Sequence, residues 1–142
     1  MEITAVPVQQ VGVNQNILFT DTVCKCSKWI THRPGSGLVT LKGVKGCDCQ
    51  PNARYLITFS GNIAAPTVPG VVELSAAISV DGEPIQATRM RVTVANVDNY
   101  YNISTSVYID VPNCCCSTIS VTNTSAQAIN IQNANLIAVR VA

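Results

Sequence analysis

The residues of this sequence with the clearest capacity for chemistry are its seven cysteines. They fall into three clusters: Cys24 and Cys26; Cys47 and Cys49; and Cys114, Cys115 and Cys116. Thiolates are good ligands for zinc, and the two C-x-C pairs together would supply the four sulfurs of a tetrahedral site. On an extended strand, however, residues two apart place their sulfurs about 7 Å apart, which is wide for one ion. We therefore expect no cofactor, with zinc as the alternative.

Disulfide bonds or cross-links between subunits are the second interpretation of the cysteines. The clusters at 24–26 and 47–49 flank one candidate strand region, and the third follows Pro112-Asn113 in a predicted hairpin, so we expect all of them at one end of the fold. Three pairs would leave one thiol over, and an odd count points to a bond between chains or to a free thiol. Such bonds persist in an oxidising medium, where each closed loop would contribute about 2–4 kcal/mol. The third interpretation, thiols that only pack, is weaker because three adjacent cysteines cannot share one strand face.

Two further side chains, Trp29 and His32, are candidates for a ligand-binding or interface site. A lone Trp can stack on a ligand, although a place in the core or at an interface is its more common role. His32 precedes Arg33-Pro34-Gly35 and is therefore expected at a turn, where the sequence places no nucleophile beside it. A structural role at the end of a loop or strand is the favoured interpretation of His32.

No arrangement of residues in the sequence indicates catalysis. Asp81 and Glu83 are close together, but they flank an Asp-Gly turn and are typical of solvated turn residues. Neither a G-x-S-x-G motif nor a phosphate-binding G-x-x-x-x-G-K-S/T loop occurs. We expect no catalytic residues and a protein that is not an enzyme.

Composition excludes several classes of protein. Charged residues make up 12% of the 142 residues and hydrophobic residues 47%, and the net charge is +1. That balance argues against a disordered chain and against a nucleic-acid partner, which would need a basic surface. No apolar run approaches the roughly 18 residues of a spanning helix, and the start of the sequence is unlike a signal peptide. We expect one domain over 1–142, synthesised in the cytoplasm, with no membrane partner.

The elements that must position these residues are strands. The sequence has 19 Val and 13 Ile against 6 Leu, which favours pleated sheet over helix. Apolar and polar residues alternate in Val72–Val80 and at 101–111, and such alternation is typical of antiparallel sheets. Further strands are predicted at 16–23, 37–43, 54–63, 89–97, 116–122, 128–131 and 133–141, with a tight hairpin at Asp81-Gly82. The predicted fold is all-β, an antiparallel jelly-roll sandwich of about eight to ten strands.

The order of these segments resembles one known family. Two stretches carry the likeness: the strand in ARYLITFSGNIA, and the apolar strand with its turn and return strand in VVELSAAISVDGEPI. Over nearly its whole length the chain is similar to the tumour-necrosis-factor-like jelly roll, including the complement-type globular head, and especially to its small bacterial and phage versions. The resemblance implies a homotrimer with a binding or structural role and no reaction. The sequence has no collagen-like Gly-X-Y stalk, and the cysteine clusters do not belong to the family pattern.

The polar positions of the alternating segments hold mainly Asn, Gln, Ser and Thr rather than Lys and Glu. Surfaces with few charges suit well-packed interfaces between subunits. The sequence therefore favours a structural protein displayed on a particle: a component of a bacteriophage virion, such as a head decoration or fibre tip, in contact with itself and with other virion or surface-layer proteins. A spore, appendage or cell-surface protein and a carbohydrate-binding module on the same scaffold are the alternatives.

Overall fold

The alternating segments form two antiparallel sheets in the computed structural model, which describes residues 1–23, 28–43 and 52–142. Within those ranges there are twelve strands and one short 3-10 helix at Gln86–Thr88. The strands are β1 (Glu2–Ala5), β2 (Gln9–Val11), β3 (Asp21–Thr22), β4 (Ile30–His32), β5 (Val39–Lys42), β6 (Asn52–Ala64), β7 (Val72–Val80), β8 (Glu83–Pro84), β9 (Met90–Val94), β10 (Tyr101–Pro112), β11 (Cys116–Asn123) and β12 (Ile129–Arg140). The same residues contain no helix with the length and apolar character that crossing a bilayer requires.

Strands distant in sequence lie side by side in both sheets. The first sheet has the order β10-β6-β12-β1-β3, and β2 joins it by pairing with β12. The second sheet has the order β4-β5-β11-β7-β8, and β9 also pairs with β7. All pairings between the described strands are antiparallel, as in a jelly roll. The predicted all-β jelly-roll fold class is confirmed.

The hydrophobic core lies between the two sheets and is built from alternate residues of the long strands. In β6, Tyr55, Ile57 and Phe59 are fully buried, and β7 buries Leu74 and Ile78 from the opposite sheet. β-Branched and aromatic side chains suit these positions because they pack well on a pleated surface. Burying one such Ile or Leu stabilises the fold by about 1.5–3 kcal/mol relative to exposing it. The core therefore fixes which face of each strand turns outward.

The prediction of a strand at 16–23 is wrong for most of these residues. The segment contributes only β3 and one bridge between Asn16 and Thr122. Its middle is bonded differently: the Gln9 side chain donates to the carbonyl of Leu18 at 2.8 Å and accepts from the Leu18 amide at 2.9 Å. An amide side chain here makes the bonds that a neighbouring strand would otherwise make.

The two strands predicted at 128–131 and 133–141 are the single strand β12. The register shifts between Gln132 and Asn135, and Asn133 adopts a φ of 52° at that point. A β-bulge accommodates extra residues without ending a strand. A local break in the alternation therefore does not mark a turn in this part of the chain.

The turn between β7 and β8 is the hairpin predicted at Asp81-Gly82. Both residues have positive φ, 50° and 86°, as a type I′ turn requires, and Gly82 adopts this conformation without steric cost. The Asp81 carboxylate accepts hydrogen bonds from the Thr118 amide at 2.8 Å and from the Thr118 hydroxyl at 3.3 Å. The side chain of the turn thus ties the hairpin to β11.

Candidate functional site

The outward face of the first sheet carries a group of apolar side chains. Leu56 on β6 lies opposite Tyr108 on β10 and opposite Val139 on β12, and Ile137 lies two residues before Val139. Because side chains alternate along a strand, all four project away from the core. Tyr108 is 61% exposed, Val139 45% and Ile137 39%. We call Leu56, Tyr108, Ile137 and Val139 the apolar patch.

Uncharged polar side chains occupy the adjoining part of the same face. Asn102 donates an amide hydrogen bond to the Asn62 carbonyl oxygen at 3.2 Å, and the hydroxyls of Thr58 and Ser106 are 3.0 Å apart. Further uncharged residues stand beside them in register: Ser60, Ser104, Gln132 and Asn135. Removing a neutral polar group from water costs less free energy than removing a charged group. This composition therefore suits contact with another protein.

An ion pair between Arg54 and Asp110 lies at one end of this face. The Arg54 guanidinium donates from Nε and Nη2 to the two carboxylate oxygens of Asp110 at 2.7 and 2.9 Å, and it lies 5.8 Å from the centre of the Tyr108 ring. The hydrogen bond from Arg54 holds the pKa of the Asp110 carboxyl below its ordinary value, and the same bond raises the pKa of Arg54. Both groups are charged at neutral pH and cancel each other, so the pair adds no net charge beside the apolar patch.

The cysteine cluster at 114–116 lies at the turn between β10 and β11. The thiols of Cys114, Cys115 and Cys116 are exposed and free, and Cys114 has a φ of 60°. Gly43 packs against the turn and donates its amide to the Cys115 carbonyl at 2.8 Å. Lys42, Gly43 and the three cysteines line a cavity of about 180 Å³. We call residues 113–116 the cysteine turn.

The other predicted cysteines lie outside the described residues: Cys24, Cys26, Cys47 and Cys49. Their pairing stays a prediction. Within the described ranges, no three His, Cys, Asp or Glu side chains are grouped as a metal ion would require. The thiols of the cysteine turn therefore do not form a zinc site without other ligands.

The indole of Trp29 lies at the same end of the sandwich as the cysteine turn. Lys42 connects the two, because its amide donates to the Trp29 carbonyl at 2.9 Å and it pairs with Cys116 between β5 and β11. The Trp29 ring is half-buried against the core, and the Arg140 guanidinium lies 4.3 Å from the centre of the ring. A sugar that stacked on the face of the Trp29 ring covered by Arg140 would have to displace that guanidinium.

The phenol of Tyr55 holds this end of the sandwich together. Its hydroxyl donates to the carbonyl of Lys42 and lies 3.4 Å from the carbonyl oxygen of Trp29. Burial raises the pKa of the Tyr55 phenol, with a smaller opposing effect of Arg140. The hydroxyl therefore keeps its proton at neutral pH and remains a hydrogen-bond donor.

His32 ends β4 and is fully bonded within the protein. Its Nε2 lies 2.9 Å from the carbonyl oxygen of Ser36, which can only accept, so Nε2 carries the proton. In the neutral ring Nδ1 then accepts a hydrogen bond from the Thr22 hydroxyl at 3.0 Å, and the ring edge packs against Phe19 at a centroid distance of 6.4 Å. Both ring nitrogens are engaged in joining β3, β4 and the turn at 33–36, which makes His32 a structural residue in this geometry.

Sequence reasoning identified the uncharged outward positions but missed the apolar patch. A signal for it exists in β12, where Leu136 and Ala138 face the core while Ile137 and Val139 face outward. A strand that is apolar on both faces is typical of burial on both sides. The apolar residues on both faces of β12 therefore predict that a further protein surface covers its outward face.

Solved structures with a similar fold include murine APRIL at pH 5.0, which aligns with a TM-score of 0.61 and 12% identity over 99% of this chain and 98% of that chain. The CBM35 of Cellvibrio japonicus Abf62 aligns with a TM-score of 0.36 and 9% identity over 99% of this chain and 97% of that chain. The Podospora anserina GH26-CBM35 beta-(1,4)-mannanase aligns with a TM-score of 0.34 and 15% identity over 95% of this chain and 28% of that chain. No protein-family model matches the sequence, and no curated protein matches it significantly. The likeness to APRIL shows that this chain has a tumour-necrosis-factor-like jelly-roll fold.

Proposed function

We propose that this chain is a non-enzymatic structural protein that assembles as a homotrimer through the outward face of its first sheet. The observation that carries the proposal is the apolar patch, which is exposed on the isolated chain. An exposed apolar patch with a polar rim marks an interaction site in many soluble proteins. Covering it would remove apolar surface from water, which contributes about 25 cal/mol per Å².

A further copy of the same chain is the proposed partner because the part of this face formed by β6 and β10 carries no net charge. Identical surfaces carry identical charges, and a charged face would repel its own copy. Here Arg54 and Asp110 neutralise each other, and amides and hydroxyls border the apolar patch along β6 and β10. On β1, the Glu2 carboxylate lies opposite Ile137 and accepts a hydrogen bond from Asn135 at 2.7 Å. Among the described strands, β10 is at one edge of the sheet, so a neighbouring subunit can approach both the face and this edge. The family resemblance implies three copies.

The trimer is proposed to be displayed on a bacteriophage virion, as a head decoration or a fibre tip, with a spore or appendage surface as the alternative. A low net charge and a face suited to identical copies support assembly into a larger particle. Gold-labelled antibody raised against the protein and applied to purified virions and spores tests the location. Labelled virions support the proposal, labelled spores alone support the alternative, and labelling of neither contradicts both.

Substituting Val139→Lys is expected to convert the trimer into monomer at micromolar concentration. The change places an ammonium group in the apolar patch, where burial without a partner is strongly unfavourable. Light scattering after size-exclusion chromatography measures the mass of each species. Val97→Lys is the matched control, since Val97 is 50% exposed and lies in the loop between β9 and β10. A Val139→Lys protein that stays trimeric would refute the proposed interface, as would equal dissociation of the control.

The cysteine turn is proposed to cross-link neighbouring copies under oxidising conditions. Oxidised glutathione is the oxidant: two protein thiols form one disulfide, and one glutathione disulfide is reduced to two glutathione thiols. We expect covalent dimers or larger species on non-reducing gels, and their strong reduction when Cys114, Cys115 and Cys116 are all replaced by Ser. An unchanged gel pattern in the triple variant would show that the cysteine turn is not the cross-linking site.

A further inference from the structure

A cavity lies on the other side of the sandwich, on the outward face of the second sheet. Ser75 of β7 projects there, because its neighbours Leu74 and Ala76 belong to the core. The cavity opens beside this residue and has a volume of about 600 Å³. Its lining combines polar and apolar side chains, among them Val13, Asn14, Val71, Glu73, Arg89 and Thr124.

Neutral groups hold Arg89 in place at this cavity. Its Nε donates to the Ser75 hydroxyl at 3.2 Å, and its Nη2 donates to the Thr124 carbonyl at 3.4 Å. Ser75 is itself 1% exposed, and its hydroxyl lies 2.7 Å from that of Thr124. The position of the guanidinium is therefore established before a ligand arrives, which reduces the ordering cost of binding.

Among the described residues, no carboxylate oxygen lies within 4 Å of the Arg89 guanidinium nitrogens. The acidic residue in the cavity lining, Glu73, is instead 3.9 Å from Arg91. The hydrogen bonds of Arg89 use Nε and Nη2, and in the described part of the chain Nη1 has no acceptor. A fixed guanidinium with an unbonded amino group beside a cavity is suited to bind a carboxylate.

We propose that this cavity binds a small carboxylate ligand through Arg89. Val13 and Val71 are 46% and 74% exposed and line the same cavity, so they can cover the carbon skeleton of the ligand. A uronic acid and the C-terminal carboxylate of a short peptide share this chemistry. The site is on the opposite sheet from the apolar patch, so it does not depend on self-association.

Nuclear magnetic resonance titration of the full chain tests the proposal with four probes at constant ionic strength. The two acids are sodium glucuronate and an acetylated dipeptide with a free carboxylate; their neutral counterparts are glucose and the same dipeptide as an amide. We expect at least one acid to cause saturable shifts at the Ser75, Arg89 and Thr124 amides, and the responding acid identifies the source of the carboxylate. Absence of saturation at millimolar concentration, or equal shifts with the neutral counterpart, would overturn the proposal.

Variants of Arg89 separate a specific site from general attraction of anions. Arg89→Gln removes the charge, and Arg89→Lys keeps the charge but loses the planar set of donors, so either variant should weaken binding of the responding acid about tenfold or more. Arg33→Gln is the matched control, because it makes the same charge change at an exposed turn residue. Unchanged affinity in a folded Arg89 variant, or equal weakening in Arg33→Gln, would contradict the site.

Discussion

Replacing Asn123 by Asp is expected to lower the free energy of unfolding by about 3–5 kcal/mol. Asn123 ends β11 and is fully buried. Its Nδ2 donates to the carbonyls of Val11, Gly12 and Gln127 at 3.1, 3.1 and 2.9 Å, and its Oδ1 accepts from the Ser125 amide at 2.9 Å. Aspartate would direct a carboxylate oxygen at three carbonyl oxygens, with no proton between them. The Asn123 side-chain amide thus joins Val11 and Gly12, at the end of β2, to the turn that follows β11.

Urea denaturation at a fixed protein concentration measures this effect, since the stability of an oligomer depends on concentration. Asn99→Asp is the matched control: Asn99 is exposed, and its side chain donates to the Tyr101 hydroxyl at 3.0 Å. We expect that variant to change the free energy of unfolding by less than about 0.5 kcal/mol. If Asn123→Asp has an effect as small as the control, the buried amide does not join these segments.

Gly43→Ala is expected to destabilise the protein by about 2–4 kcal/mol and to displace the cysteine turn. A Cβ at position 43 would overlap the carbonyl oxygen of Pro112 and would lie 2.9 Å from the carbonyl oxygen of Cys115. Both obstacles are backbone atoms, so neither can move aside as a flexible side chain would. The hydrogen bond from the Gly43 amide to Cys115 would be lost or weakened by the same movement.

The matched control for this prediction is Gly12→Ala. There the new Cβ would lie 2.7 Å from Oε1 of Gln15, the far end of a flexible side chain that can rotate away. Denaturation of the two variants measures the difference in stability, and cross-linking with oxidised glutathione reports the position of the cysteine turn. Equal stability of Gly43→Ala and Gly12→Ala would mean that the backbone contacts at position 43 are not close.

Long alternating segments allow the architecture to be predicted from sequence. In β6, large apolar residues recur at every second position, at Tyr55, Ile57 and Phe59, and this period of two is typical of a β-strand with one buried face. The Asp81-Gly82 turn is equally local, because its positive φ values favour those residue types over most others. These features depend on neighbours in the sequence, so the sequence alone predicts them.

Features that depend on distant residues could not be predicted in this way. Asn123 stands in a polar stretch typical of a surface turn, and only its contacts with Val11 and Gly12 make it a buried hydrogen-bonding centre. Likewise, Gln9 replaces strand pairing for Leu18 through a side-chain contact that no periodicity reveals. The apolar patch depends on the register of β6, β10 and β12, which brings Leu56, Tyr108 and Val139 into one row.

Light scattering of the unmodified chain after size-exclusion chromatography, in reducing buffer at micromolar concentration, tests the proposed assembly most directly. Reducing conditions exclude disulfides as the cause of any association. Burial of the apolar patch between copies predicts a single species of three times the 15.1 kDa chain mass. A stable species of 15.1 kDa would contradict assembly through the outward face of the first sheet.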